Sequence, residues 1–259
     1  MDFIGQDLSG SSFERVKLGG ATFRAVSMQD TVFRGVWMNR VVMRGVEMAD
    51  VDIHGEIGKL TVNGVDIGPY VEAELNRRHP ERAKMRPTDP DGFREAWATL
   101  ERLWDGTVAR ARGLDPELLH ESVDGEWSFI ETLRHLVFAT DAWIRRVIQG
   151  DLAPWHPLDL PWDEMRDTPG IPRDRAARPS LDEVLELRHD RMAGVRALLA
   201  GITEEQLASD TVPVADTGGW PEAQAYPLGE VVLGIINEEW EHRLYAERDL
   251  DALVKRAGS

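Results

Sequence analysis

Glu238 and His242 stand four residues apart in the run Glu238-Glu239-Trp240-Glu241-His242 of a 259-residue chain. On an α-helix that spacing stacks a carboxylate and an imidazole on one face. Both continue a stripe at spacings of three and four, through Val231, Ile235, Glu238, His242, Tyr245 and Asp249. A stripe that faces a core should stay apolar, so ionisable groups within it need a partner, and a divalent metal ion supplies one. His135 interrupts a second apolar helical pattern in the same way. Metal chemistry then depends on whether the two interruptions meet.

Four helical patterns could position these groups. The first, at about 91–112, carries Phe93, Trp97, Leu100, Trp104 and Val108. A second, at about 126–149, holds Ile130, Leu133, Val137, Thr140, Ile144 and Val147 on its core stripe. The third opens on the capping box Ser180-Leu181-Asp182-Glu183 and runs to Gly201. A fourth follows Pro227, over about 228–254, and carries Glu238 and His242. Long loops at 150–178 and 208–226 join them, so the pattern predicts a four-helix bundle that is not simply up-down-up-down. The Trp-rich segment from Trp155 to Trp162 is a candidate lid, and loop aromatics packing on the bundle explain it equally well.

Residues 1–67 follow a different rule. Phe3, Leu8, Phe13, Leu18, Phe23, Met28, Phe33, Met38, Met43, Met48 and Ile53 recur every five residues. A period of five fits neither a helix nor a simple strand, and fixed periods of this kind mark stacked units. The segment resembles the pentapeptide-repeat family, which implies a short right-handed, quadrilateral β-helix with those side chains pointing inward. Domain boundaries are expected at 1–67 for the β-helix, 68–90 for a Pro- and charge-rich linker with a short helix at about 70–78, and 91–259 for the bundle.

Composition narrows the function. The chain contains no Cys, which leaves no disulfide, no thiolate nucleophile and no Cys-based zinc site. A formal charge of −16 argues against nucleic acid and against anionic membrane surfaces as partners. Residues 1–67 hold nine acidic and seven basic side chains, a near-balance that argues against DNA mimicry. No apolar run of membrane-spanning length and no secretory leader is present, so a cytoplasmic protein with a small-molecule substrate is expected.

Two stretches carry a second resemblance. Glu126-Trp127-Ser128-Phe129-Ile130-Glu131-Thr132-Leu133-Arg134-His135-Leu136 resembles the second helix of DinB-like proteins, in which an inward-facing His follows a Trp-Ser start. Asn237 to Leu250 resembles their last helix, which commonly supplies two further ligands at i and i+4. The resemblance spans about 90–255 and implies a DinB-like four-helix bundle in which His135, Glu238 and His242 hold a divalent metal. Zinc is the first expectation, with nickel or iron as alternatives. Many members use three histidines, and here Glu238 stands where one would be.

Characterised relatives include thiol S-transferases, which join a low-molecular-weight thiol such as bacillithiol or mycothiol to an electrophile, and thiol-dependent isomerases. The resemblance therefore implies a metal-dependent transferase or isomerase with such a thiol as cosubstrate. The alternative is a non-catalytic bundle that docks a protein partner through the repeat segment. Glu239 and Asp249 are the candidates for orienting a ligand imidazole. Trp127, Trp143 and Tyr245 are expected to line the pocket, and Arg248 to hold an anionic substrate group. His156 and His189 stand in reserve as ligands. Bundles of this family often pair, so a homodimer is a candidate assembly.

Overall fold

A computed structural model of the chain describes residues 2–55, 57–215 and 218–257. The chain divides into two compact units, Met1–Glu56 and Ile57–Ser259.

The first unit overturns the β-helix expected there. Among its described residues none forms a strand, and none is buried. Side chains on the five-residue period remain open to solvent, Phe13 at 59% and Met28 at 45% of their full exposure. The period is instead a backbone rhythm. Every fifth residue from Gly5 to Gly55 has positive φ, including the non-glycines Arg15, Ala25, Asp30, Arg40 and Asp50. A left-handed residue at each fifth position interrupts the extended backbone that a β-ladder requires. Stacked units bury their apolar rows only between neighbours, and eleven repeats would supply fewer than three coils. No solenoid forms.

The second unit opens with a hairpin, β1 (Thr61–Val62) and β2 (Val65–Asp66), in the register Thr61↔Asp66 and Val62↔Val65. Asn63 and Gly64 both take positive φ, as a tight two-residue hairpin turn demands. Helix α1 (Gly68–Arg78), the short helix expected within the linker, and a 3₁₀ segment (Pro80–Met85) follow. Arg82 grips both oxygens of Glu72 at 2.7 and 2.9 Å, tying the 3₁₀ segment to α1.

Four long helices come next: α2 (Pro90–Ala111), α3 (Phe129–Thr140), α4 (Leu181–Gly201) and, after the single turn α5 (Glu204–Leu207), α6 (Leu228–Ala257). Local chemistry sets their starts. Asp89 caps α2 ahead of Pro90, while Ser128 with Glu131 and Ser180 with Glu183 form complete capping boxes on α3 and α4. Helices α2 and α3 each pack against both α4 and α6, which closes a four-helix bundle. Trp97, Leu100, Ile130, Leu133, Val195, Ile236 and Leu250 fill its centre. No helix among the described residues is long and apolar enough to cross a membrane.

One expected helix is not uniform. Beyond Thr140, α3 widens into π-helical turns over Asp141–Ile148. The change begins at Asp141, a fully buried carboxylate that accepts two bonds from Arg191 of α4, at 2.7 and 3.0 Å. Such widenings recur at functional sites.

Candidate metal centre

Every residue of α3 except Glu131 is buried, because the loop after the π-helical turns folds back over the helix face that turns away from the bundle. Arg134, 0% exposed, staples that loop down. Its guanidinium donates to the carbonyls of Leu158, Asp174 and Ala177 at 2.8, 2.6 and 3.3 Å. The next residue, His135, bonds through Nδ1 to the carbonyl of Leu160 at 3.0 Å. The tight turn His156–Asp159 sets that carbonyl in place, with Asp159 N–H donating to His156 O at 2.8 Å and His156 N–H to Asp159 Oδ2 at 3.1 Å.

On α6, Nδ1 of His242 lies 2.9 Å from the carbonyl of Glu238, one turn earlier. A proton on Nδ1 of each ring satisfies both carbonyls and leaves each Nε2 with a free lone pair. The rings of His135 and His242 stack at 4.9 Å between centroids, and Trp127 covers both, at 4.5 and 6.0 Å. Trp127 holds this position from just before the capping residue of α3, its indole N–H donating to Asp163 at 3.3 Å.

Glu238 completes the group. Its Oε2 is buried without a hydrogen-bond partner, 3.8 Å from His135 Nε2 and 3.3 Å from His242 Nδ1. One ligand atom each from His135, Glu238 and His242 lies within 4.8 Å of the other two, and no other such group occurs among the described residues. A buried carboxylate oxygen without a donor is the feature a cation would satisfy. Two imidazoles and a carboxylate form an established donor set for catalytic zinc and for non-haem iron. The residues present fit a divalent ion.

Protonation favours the same reading. Burial holds the His242 imidazole down to about 4, helped by nearby His135 and opposed by Glu238, so the ring is neutral near pH 7. Burial alone would raise the Glu238 carboxyl, but His135 and His242 outweigh it and hold the group below the usual carboxylate range. Both side chains are therefore in the form that binds metal.

Beside the three ligands lies a pocket of about 260 Å³, walled by Trp127, Phe138, Ala139, Trp143, Trp162 and Trp220. Trp220, from the loop before α6, stacks on Phe138 at 5.5 Å and meets Trp162 and Trp143 edge-on at 4.9 and 5.6 Å. Trp155 also stacks on Phe138, at 5.6 Å.

Not every residue expected here reaches the site. Trp127 and Trp143 line the pocket; Tyr245 meets the His242 ring edge-on at 5.9 Å without lining it. Glu239 is turned to the bundle interior, about 100° round the helix from Glu238. There it forms a buried pair with both terminal nitrogens of Arg188, at 3.1 and 2.8 Å. Asp249 accepts from Arg248 Nε at 2.7 Å, and the Arg248 guanidinium lies over the Tyr245 ring. Neither acid orients an imidazole, since the Leu160 and Glu238 carbonyls do so. Arg248 is absent from the pocket wall. His189 is exposed, and His156 Nδ1 accepts from Leu158 N at 3.2 Å, so neither is needed as a ligand.

Trp162 belongs to the Trp155–Trp162 segment read as a candidate lid and does line the pocket, whereas Phe138 and Trp220 were not among the expected site residues. Phe138 could have been found, three residues after His135 on the same helical face. Nothing in the sequence ties Trp220 to that face.

The chain belongs to the DinB superfamily, whose family model matches residues 99–246, more than half of its length. No curated protein and no solved structure matches it.

Proposed function

We propose that this DinB-superfamily protein is a divalent-metal-dependent enzyme that uses a low-molecular-weight thiol, as an S-transferase or a thiol-dependent isomerase. The observation that carries the proposal is the convergence of His135, Glu238 and His242, with the orphaned Glu238 Oε2 between two imidazoles. Bound there, a divalent ion would lower the pKa of a coordinated thiol or water by several units, making a nucleophile available at neutral pH. A chain without Cys must take its thiol from outside.

The protein's own residues supply the setting. The carbonyls of Leu160 and Glu238 hold the two rings in one tautomer and orientation. Trp127 shields the ligands from water, and the aromatic wall receives the second substrate beside them.

The test is the metal content of the purified wild type beside His242→Ala, with circular dichroism to confirm that the variant folds. Near-stoichiometric metal in the wild type, falling to traces in the variant, is the expected result. Equal trace amounts in both would remove the enzymatic reading and leave a bundle that only binds.

A further inference from the structure

The pocket beside the three ligands is built for an uncharged ring. Five of its walls are aromatic, and among the described residues no Lys or Arg lines it. This is not for want of arginine nearby. Arg134 donates to three carbonyls of the covering loop, and Arg146 donates to the carbonyls of Leu152 and Pro221. Arg173 donates to those of Trp162 and Met165, and Arg188 is paired with Glu239. Each guanidinium fastens the loops that form the wall or the helices behind it, and none is presented to a ligand. An anionic ring seated at the aromatic end would lose its water without gaining a side-chain cation. A divalent ion held by one carboxylate would leave the ligand end positive, which disfavours a cationic ring, and a thiolate bound to that ion would cancel the charge and leave an anionic ring no partner there.

From this we infer that the second substrate is a small, uncharged aromatic or heteroaromatic molecule, seated in the pocket against the wall formed by Trp143, Trp162, Trp220 and Phe138. At about 260 Å³ the pocket lies just below the usual range of about 300–1,000 Å³ for ligand sites, so one fused ring system is the natural occupant. The inference rests on the proposed enzyme for its metal end, but the aromatic end can be tested by itself.

Calorimetry on the full chain, as purified and after chelator treatment, would compare indole, indole-5-sulfonate and tryptamine. Sulfonate is a poor metal ligand, so the comparison reads charge and not chelation. Indole should bind at least about tenfold more tightly than indole-5-sulfonate in both preparations, and than tryptamine in the metal-bound one, since the metal-free pocket faces the Glu238 carboxylate. Trp143→Arg, at a half-buried wall position, should bring indole-5-sulfonate up to parity with indole. Trp143→Leu should weaken indole severalfold without helping the sulfonate. Failure of indole to bind, sulfonate binding as tightly as indole in either preparation, or tryptamine binding as tightly as indole in the metal-bound chain would overturn the inference. A chain that holds no metal yet prefers indole would sink the enzyme proposal and leave this one standing.

Discussion

Leu133 and Phe13 are both apolar residues on a strictly kept period, and their surroundings could hardly differ more. Leu133 is 0% exposed, on a helix packed against α4 and α6; Phe13 keeps 59% of its surface in water. The helical unit repeats every three to four residues and meets opposing apolar surfaces on several sides. The N-terminal unit repeats every five residues, and none of its described residues is buried. A period tells which residues point the same way. Burial needs a second surface for them to point at, and only that removes water and stabilises the fold.

Stability measurements can break or sharpen this contrast. Leu133→Ala should show the largest effect, destabilising the chain by about 2–5 kcal/mol in chemical denaturation, because the closed bundle cannot collapse onto the gap. A loss below about 1 kcal/mol would mean that the bundle is loosely packed.

Asp159 tests the polar side of the same interior. Burial first, then the nearby Asp141 charge, pushes its carboxyl up to about 8 in the folded chain, above the ordinary value of 3.8. The fold thus holds this proton more tightly than the unfolded chain does. Its contribution to stability is fully present below about pH 4 and is lost as pH rises through about 8. Asp159→Asn cannot lose that proton. Its stability relative to wild type should therefore climb with pH across this window, by about 1–3 kcal/mol as the cost of a poorly satisfied buried group. A pH-independent difference in melting temperature between the two would contradict the assignment.

Phe13→Ala should have the smallest effect, within about 0.5 kcal/mol of wild type, as expected where a side chain buries little. A loss comparable to that of Leu133→Ala would show that the N-terminal period encloses a core after all.

Several features were legible before any coordinates. Ser180 and Glu183 marked the start of α4 because a capping box satisfies orphan backbone groups locally. Glu238 and His242 were placed together by the pitch of a single helix, again a local property. His135 joined them through resemblance, since nothing local links residues 135 and 238. The β-helix misled for the opposite reason: its sequence pattern was strong, but its stability depended on contacts between coils.

Sequence alone settled what neighbours along the chain can decide: helix starts, the facing of Glu238 and His242, and the lack of an internal thiol. Tertiary structure settled whatever needed two distant segments to touch. It turned Glu239 to Arg188 instead of an imidazole, and gave the orienting task to the Leu160 and Glu238 carbonyls. It also brought Trp220 onto Phe138 and bonded the nearby arginines to loop carbonyls. The physical reason is one of range. Capping and helical pitch act over three or four residues, while the partner of a buried charge or ring is set by which surfaces close together when water is expelled.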